Sequence, residues 1–212
     1  MAYPTVSAPY GFKPINSVDG KPYAGATRQL LISANSDPLF YGDLVCLLDT
    51  ADAGTGARLA RISAVYGTPY AVGVFVGCTY TNPTTKQPTW SQSWPGATAA
   101  PDAVAYVVDD PMALFQVVVT EELLPSGNAV SAASYGYIGV NVSPVLSYNG
   151  DAGNTNTGDS YMSVTTLSAG STFGIRVIDV VPATKTASGY PELLVKIQPH
   201  AYVSDHSGTA PV

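Results

Sequence analysis

The chain has 212 residues and a formal net charge of −6, with 46% of its residues hydrophobic but only 11% charged, against about 25% charged in an ordinary soluble domain. That length allows one sizeable β domain or two small ones. Nine Lys and Arg scattered among fifteen Asp and Glu exclude nucleic acid as a partner, because counterion release needs clustered bases, and no apolar run approaches the roughly 20 residues of a membrane helix.

Residues 1–26 read as an extended N-terminal arm. Pro4, Pro9, Pro14 and Pro22 recur too often for a helix, and Gly11, Gly20 and Gly25 interrupt any strand. Tyr3, Tyr10, Phe12, Ile15 and Tyr23 stand along it like pegs. Stiffened by proline, such an arm loses little entropy on docking and spans up to about 80 Å. The other reading is that its pegs pack back on their own domain. Tyr3, Tyr10, Phe12, Pro14 and Tyr23 are the candidate partner-binding residues of this leader, and a chain lacking residues 1–24 is expected to fold yet lose firm attachment. The opening Met1-Ala2-Tyr3-Pro4 has neither a basic flank nor an apolar core, so the expectation is a chain made in the cytoplasm.

Residues 27–202 read as a β domain. Residues 28–33 form a short strand run, turned by Asn35-Ser36-Asp37-Pro38. Residues 44–48 are continuously apolar, as suits a strand covered on both faces. Residues 58–66 alternate loosely and 71–78 are rich in Val, and short links make these antiparallel neighbours. Residues 103–108 and 113–120 read as strands about an Asp109-Asp110-Pro111 turn. Further strands are expected at 137–142, 145–148, 161–165, 173–181 and 193–198, the last with Leu193, Val195 and Ile197 on one buried face. No 3.6-residue apolar stripe persists for three turns. About ten short strands predict an all-β fold, an antiparallel sandwich or barrel with long loops. Residues 203–212, rich in Ser, Gly, Thr and Pro, read as a flexible tail.

Residues 79–101 read as one long loop containing Pro83, Pro88, Pro95 and Pro101 and both tryptophans. Loops of that length inside compact domains are functional or covered by a partner. Trp90 and Trp94 are natural interface anchors, or they seal the domain's own core. Cys46 and Cys78 lie in apolar runs and read as buried free thiols.

A catalytic constellation is not expected. Gly158-Asp159-Ser160 matches the start of one lipase class, but it lies late in a polar loop, and His200 and His206 stand near the end of a chain without helices. Asp151, Asn154, Asn156 and Asp159 offer oxygen ligands, yet their spacing misses the EF-hand order. Adjacent Asp109 and Asp110 in a turn cap backbone amides rather than flank a cleft. His200, at a strand end, reads as a hydrogen-bonded structural residue. The reading therefore includes no enzyme activity, no cofactor and no metal.

The order of segments carries a resemblance. Gly11-Phe12-Lys13-Pro14, Gly20-Lys21-Pro22-Tyr23 and Gly25-Ala26 are followed by Leu39-Phe40-Tyr41-Gly42-Asp43-Leu44-Val45 and Val72-Gly73-Val74-Phe75-Val76-Gly77. Then come Val107-Val108-Asp109-Asp110-Pro111, Phe115-Gln116-Val117 and Val195-Lys196-Ile197-Gln198-Pro199-His200-Ala201-Tyr202. This succession resembles the capsid decoration (cement) proteins of tailed bacteriophages, over nearly the whole chain. Members often carry Asn where Gln198 stands. The resemblance implies a β-rich virion protein that forms a homo-oligomer, expected as a trimer, binds the major capsid protein on the outer capsid surface, and bridges neighbouring capsomers against the pressure of packaged DNA. An acidic chain suits the outside of a shell. The alternative is a receptor- or carbohydrate-binding head or tail appendage, in which Trp90 and Trp94 stack on sugars.

Overall fold

A computed structural model of the chain describes residues 6–25, 27–32, 37–48, 58–62, 71–96, 100–119, 138–167, 174–184 and 190–203. Among these, twelve strands and one short 3-10 turn (Pro182–Thr184) form. The strands are β1 (Lys13–Ser17), β2 (Arg28–Ile32), β3 (Leu44–Leu48), β4 (Arg58–Arg61), β5 (Ala71–Thr81), β6 (Pro88–Ser91), β7 (Val104–Val108), β8 (Ala113–Val118), β9 (Asn141–Val145), β10 (Ser163–Leu167), β11 (Ile175–Val180) and β12 (Glu192–Ile197). The predicted all-β class is the observed one.

Two six-stranded sheets divide these strands. The first runs β1-β8-β12-β11-β9-β10 with every neighbour antiparallel. A parallel bridge between Val119 and Val164 curls β10 back toward the end of β8. The second runs β3-β4-β2-β7-β5-β6, and an added β3–β5 pairing joins its strands into a closed ring of five, with β6 left outside. The length of β5 makes this possible: its first residues pair with β3, while Cys78 to Thr81 pair with β6. The pairing of β2 with β4 is parallel, the one departure from antiparallel order among the paired strands of the described residues.

The unbroken apolar run of β3 serves two cores. Leu44 and Cys46 face a core shared with the first sheet, beside Phe115, Met162 and Val195. Val45 points the other way, into the barrel with Leu59, Val72, Phe75 and Val107. In β12 the expected alternation holds, with Leu193, Val195 and Ile197 buried and Leu194 and Lys196 half-buried.

The leader departs from the expected arm. Residues 13–17 are strand β1, paired antiparallel along β8 with Pro14 opposite Phe115. Phe12 is fully buried in the shared core, and leaving such a side chain in water costs about 1.5–3 kcal/mol. The outer edge of β1 is covered by the chain's own return. The Ser17 amide donates to the Lys21 carbonyl at 2.8 Å and the Tyr23 amide to the Ile15 carbonyl at 3.1 Å, so little of this edge is free to recruit another strand. A sheet edge lay within reach of apolar pegs, and they packed on it. Proline was no obstacle, because an edge strand tolerates it.

Three further expectations change. Residues 79–101 are no single loop, since β5 and β6 form a hairpin across Asn82–Gln87, closed by the Asn82 amide donating to the Gln87 carbonyl at 2.9 Å. The strands expected at 137–142 and 145–148 are one strand, β9, spanning Pro144. Strand β4 ends at Arg61, and residues 63–66 of the expected run lie outside the described residues, as do Tyr3 and residues 204–212 of the expected tail.

Candidate functional site

Two places gather the polar and aromatic side chains that the sequence singled out: the passage of the leader over the first sheet, and the β5–β6 hairpin. At the first, Gly11 and Gly42 cross in contact. The Phe12 amide donates to the Gly42 carbonyl at 2.9 Å and the Gly11 amide to the Met162 carbonyl at 3.1 Å. A Cβ on Gly11 would stand 2.7 Å from the Ser160 Cβ and 2.9 Å from the Gly42 Cα, and the φ of +79° itself favours glycine.

Next to this crossing, the Tyr10 hydroxyl donates to Oε1 of buried Glu192, and the Lys13 ammonium sits 4.0 Å from the Tyr10 ring centroid. Burial, then the Glu192 carboxylate, push the Tyr10 phenol well above its usual value. Tyr23 is half-buried against the shared core, and Pro14 is half-buried in β1. Tyr10, Phe12, Pro14 and Tyr23 are thus engaged by the chain's own body, while Ile15 stands exposed on β1.

On the hairpin the two tryptophans part company. Trp94 is 1% exposed, bridged to Leu39 and packed edge-on to Tyr80 with centroids 5.2 Å apart. It seals the barrel core. Trp90 is 65% exposed and pairs with Thr79 across the hairpin. Its Cζ2 lies 3.3 Å from where a Cβ on Gly77 would be, so the indole covers a strip of bare strand. Tyr80, Thr79, Thr81, Thr89 and Asp102 line with it a shallow open groove of about 430 Å³. Oδ2 of exposed Asp102 accepts the Thr81 amide at 3.0 Å, and hydrogen bonding from the Thr81 side chain first, with backbone amides adding less, holds its carboxyl below the usual aspartate range. Sequence reasoning named Trp90 but missed its companions. The signal was there, in Thr79-Tyr80-Thr81 and Thr89-Trp90-Ser91 alternating on either side of Asn82-Pro83.

The candidate chemical motifs are occupied by structure. Ser160 is fully buried, and its hydroxyl donates to Asp43 Oδ1 at 2.6 Å. The Asn154 side chain accepts the Asn156 amide at 2.9 Å, closing a local turn, while Asp159 accepts the Gln92 amide at 3.0 Å. Asp110 caps the Met112 amide at 2.8 Å, and Asp109 pairs with Arg28 at 2.5 Å. Among the described residues no group of three or more His, Cys, Asp or Glu is placed to hold a metal ion. Cys46 and Cys78 are buried free thiols, pushed by burial up to about 11 and about 12.

His200 anchors the end of β12 to the barrel through a bridge to Ala71. Its Nδ1 accepts the Tyr202 amide at 3.2 Å, and the ring is 3% exposed. Burial lowers its pKa below the ordinary 6.5, Asp109 and Asp110 oppose that shift, and Lys196 adds to it. The sign follows: below pH 6.5 the unfolded chain takes up a proton that the folded chain resists, so stability falls with falling pH between 6.5 and the lower folded value. Urea midpoints at pH 7.5 and pH 5.5 are expected to separate less in His200→Gln than in the parent. Equal separation would remove His200 as the titrating group.

No protein-family model matches the chain, and neither a curated protein nor a solved structure matches it.

Proposed function

We propose that this chain is a structural virion protein that covers the outer face of a tailed-phage capsid and bridges neighbouring capsomers as a homo-oligomer, a trimer in the simplest arrangement. The observation that carries the reading is the poverty of charge, 11% of residues, on a two-sheet β body. Such a surface of Thr, Ser, Asn, Pro and scattered apolar side chains is cheap to desolvate, which suits a protein whose work is contact area. The ordered resemblance from Gly11 to Tyr202 supplies the kind of assembly. Because residues 10–23 are committed to the chain's own sheet, attachment in this reading falls to the folded body and the hairpin. Many weak contacts repeated over a lattice add up by avidity.

Sedimentation with capsids of the phage that encodes the chain tests this. The full-length protein is expected to pellet with mature capsids to a saturating ratio and to raise the temperature at which they rupture. A chain that stays in the supernatant and leaves rupture unchanged would sink the reading.

A further inference from the structure

We propose that the groove beside Trp90 binds a neutral saccharide. The inference does not depend on whether the chain sits on a capsid, because it rests on the hairpin alone. Trp90 is the one tryptophan open to solvent, and its position is fixed. Strand β6 is paired with β5 through four residues, and the indole rests over Gly77, where the missing side chain leaves room for it. A held aromatic ring with much of its surface exposed is a platform for the C–H face of a pyranose, an apolar surface bordered by hydroxyls.

The rest of the groove supplies what those hydroxyls need. Asp102 is exposed and its Oδ2 is steadied by the Thr81 amide, which leaves the carboxylate with acceptor capacity toward the groove. Thr79 adds a hydroxyl that both donates and accepts, while the Thr81 side chain is hydrogen-bonded to Asp102 and the Thr89 hydroxyl donates to the Gln87 carbonyl at 3.3 Å. About 430 Å³ falls at the lower end of the range for small-molecule sites, and the open, shallow form suits one or two units of a longer glycan.

Two other occupants fit less well. An anionic ligand meets Asp102, with no Lys or Arg among the described residues that line the groove. A strand added to the edge of β6 meets a poor template. The closed Asn82–Gln87 pair sets the alternation so that Pro88 and Trp90 turn their backbone groups outward, and Pro88 has no amide to offer.

The test titrates the full-length chain with β1,4-linked glucose, β1,4-linked N-acetylglucosamine, α1,4-linked glucose and β1,3-linked galactose trisaccharides, with sialyllactose as the anionic comparator and N-acetylarginine amide as the cationic one. Tryptophan emission and acrylamide quenching report Trp90, since Trp94 is buried. Amide shifts of Thr79, Thr81, Thr89 and Trp90 locate the contact. At least one neutral trisaccharide is expected to protect Trp90 from quenching, to shift those amides and to saturate below about 10 mM, a weak but specific affinity. Trp90→Ala is expected to weaken it about tenfold or more, and Asp102→Asn by less, while Trp90→Phe keeps Gly77 covered and retains part of the affinity. Thermal melts confirm that each variant folds. Silence from all the neutral sugars, equal affinity in Trp90→Ala, or saturation by the arginine probe alone would each overturn the proposal.

Discussion

A chain beginning at residue 25 is expected not to fold, and Phe12→Ala alone is expected to lose about 3–5 kcal/mol, the range for emptying a buried aromatic site. Phe12 has no exposed surface and packs in the core that both sheets share. Removing it leaves a cavity in that cluster, whose members include Leu44, Phe115 and Met162. Those side chains sit on strands pinned by pairing, so collapse into the space is limited. Truncation adds to this the loss of strand β1, which exposes the edge of β8 from Ala113 to Gln116, and the loss of the Tyr10 hydroxyl from the buried Glu192 carboxylate. Against a total stability of roughly 5–15 kcal/mol for a domain, the sum leaves nothing cooperative to melt. Urea denaturation followed by circular dichroism reads both variants. Phe12→Leu, which keeps most of the volume, is expected to lose under about 1.5 kcal/mol. If the truncated chain unfolded cooperatively at the parent's midpoint, the leader would be an appendage after all.

Proline explains where the sequence was legible and where it was not. Strands β3, β7, β8, β11 and β12 were readable to within a few residues because each carries an apolar run buried on at least one face. Strands β1 and β6 were not seen, and β9 was split in two. These three contain Pro14, Pro88 and Pro144. Proline forbids the middle of a sheet, but β1 and β6 are edges, and β9 pairs with β11 only at Asn141 and Val142, which leaves Pro144 beyond that ladder. Whether a strand is central or peripheral is a tertiary fact, absent from local sequence. The tryptophans were ambiguous for a related reason. Hairpin alternation distinguishes Trp90 from its paired neighbours, but only the bridge from Trp94 to Leu39, fifty-five positions away in the chain, puts that second indole inside the barrel. The buried Asp43–Arg61 pair was invisible on the same grounds, since its members belong to a turn and a strand that meet only in three dimensions.

Arg61→Met is expected to cost about 3–5 kcal/mol, the price of leaving a buried charge without its partner. Asp43 has a side chain with no exposed surface, and Arg61 Nε lies 3.0 Å from its Oδ2. The Phe40 amide donates to the same oxygen at 2.8 Å, and Ser160 donates to Oδ1 at 2.6 Å. Arg61 in turn donates to the carbonyls of Leu146 and Ala152. One ion pair therefore ties the Phe40–Asp43 turn and strand β4 to the long β9–β10 connection that carries Ser160. Burial pushes the Asp43 carboxyl above the ordinary aspartate range, while Arg61, Ser160 and the Phe40 amide pull it back. Taking Arg61 away removes the strongest of those opposing pulls, so the carboxyl rises further and the folded variant holds, to higher pH than the parent, a proton that the unfolded chain releases near pH 4. A raised carboxyl pKa gives stability that is present at low pH and lost as pH rises through the folded value. The deficit of Arg61→Met relative to the parent is accordingly largest at pH 7 and shrinks toward pH 4.5, measured at matched pH so that His200 cancels. Hydrogen exchange should quicken from Leu146 to Met162, the stretch that loses its tether, before it quickens in β12. A deficit that stayed constant with pH would mean that Asp43 keeps its charge without Arg61, and that the pair is packing rather than electrostatics.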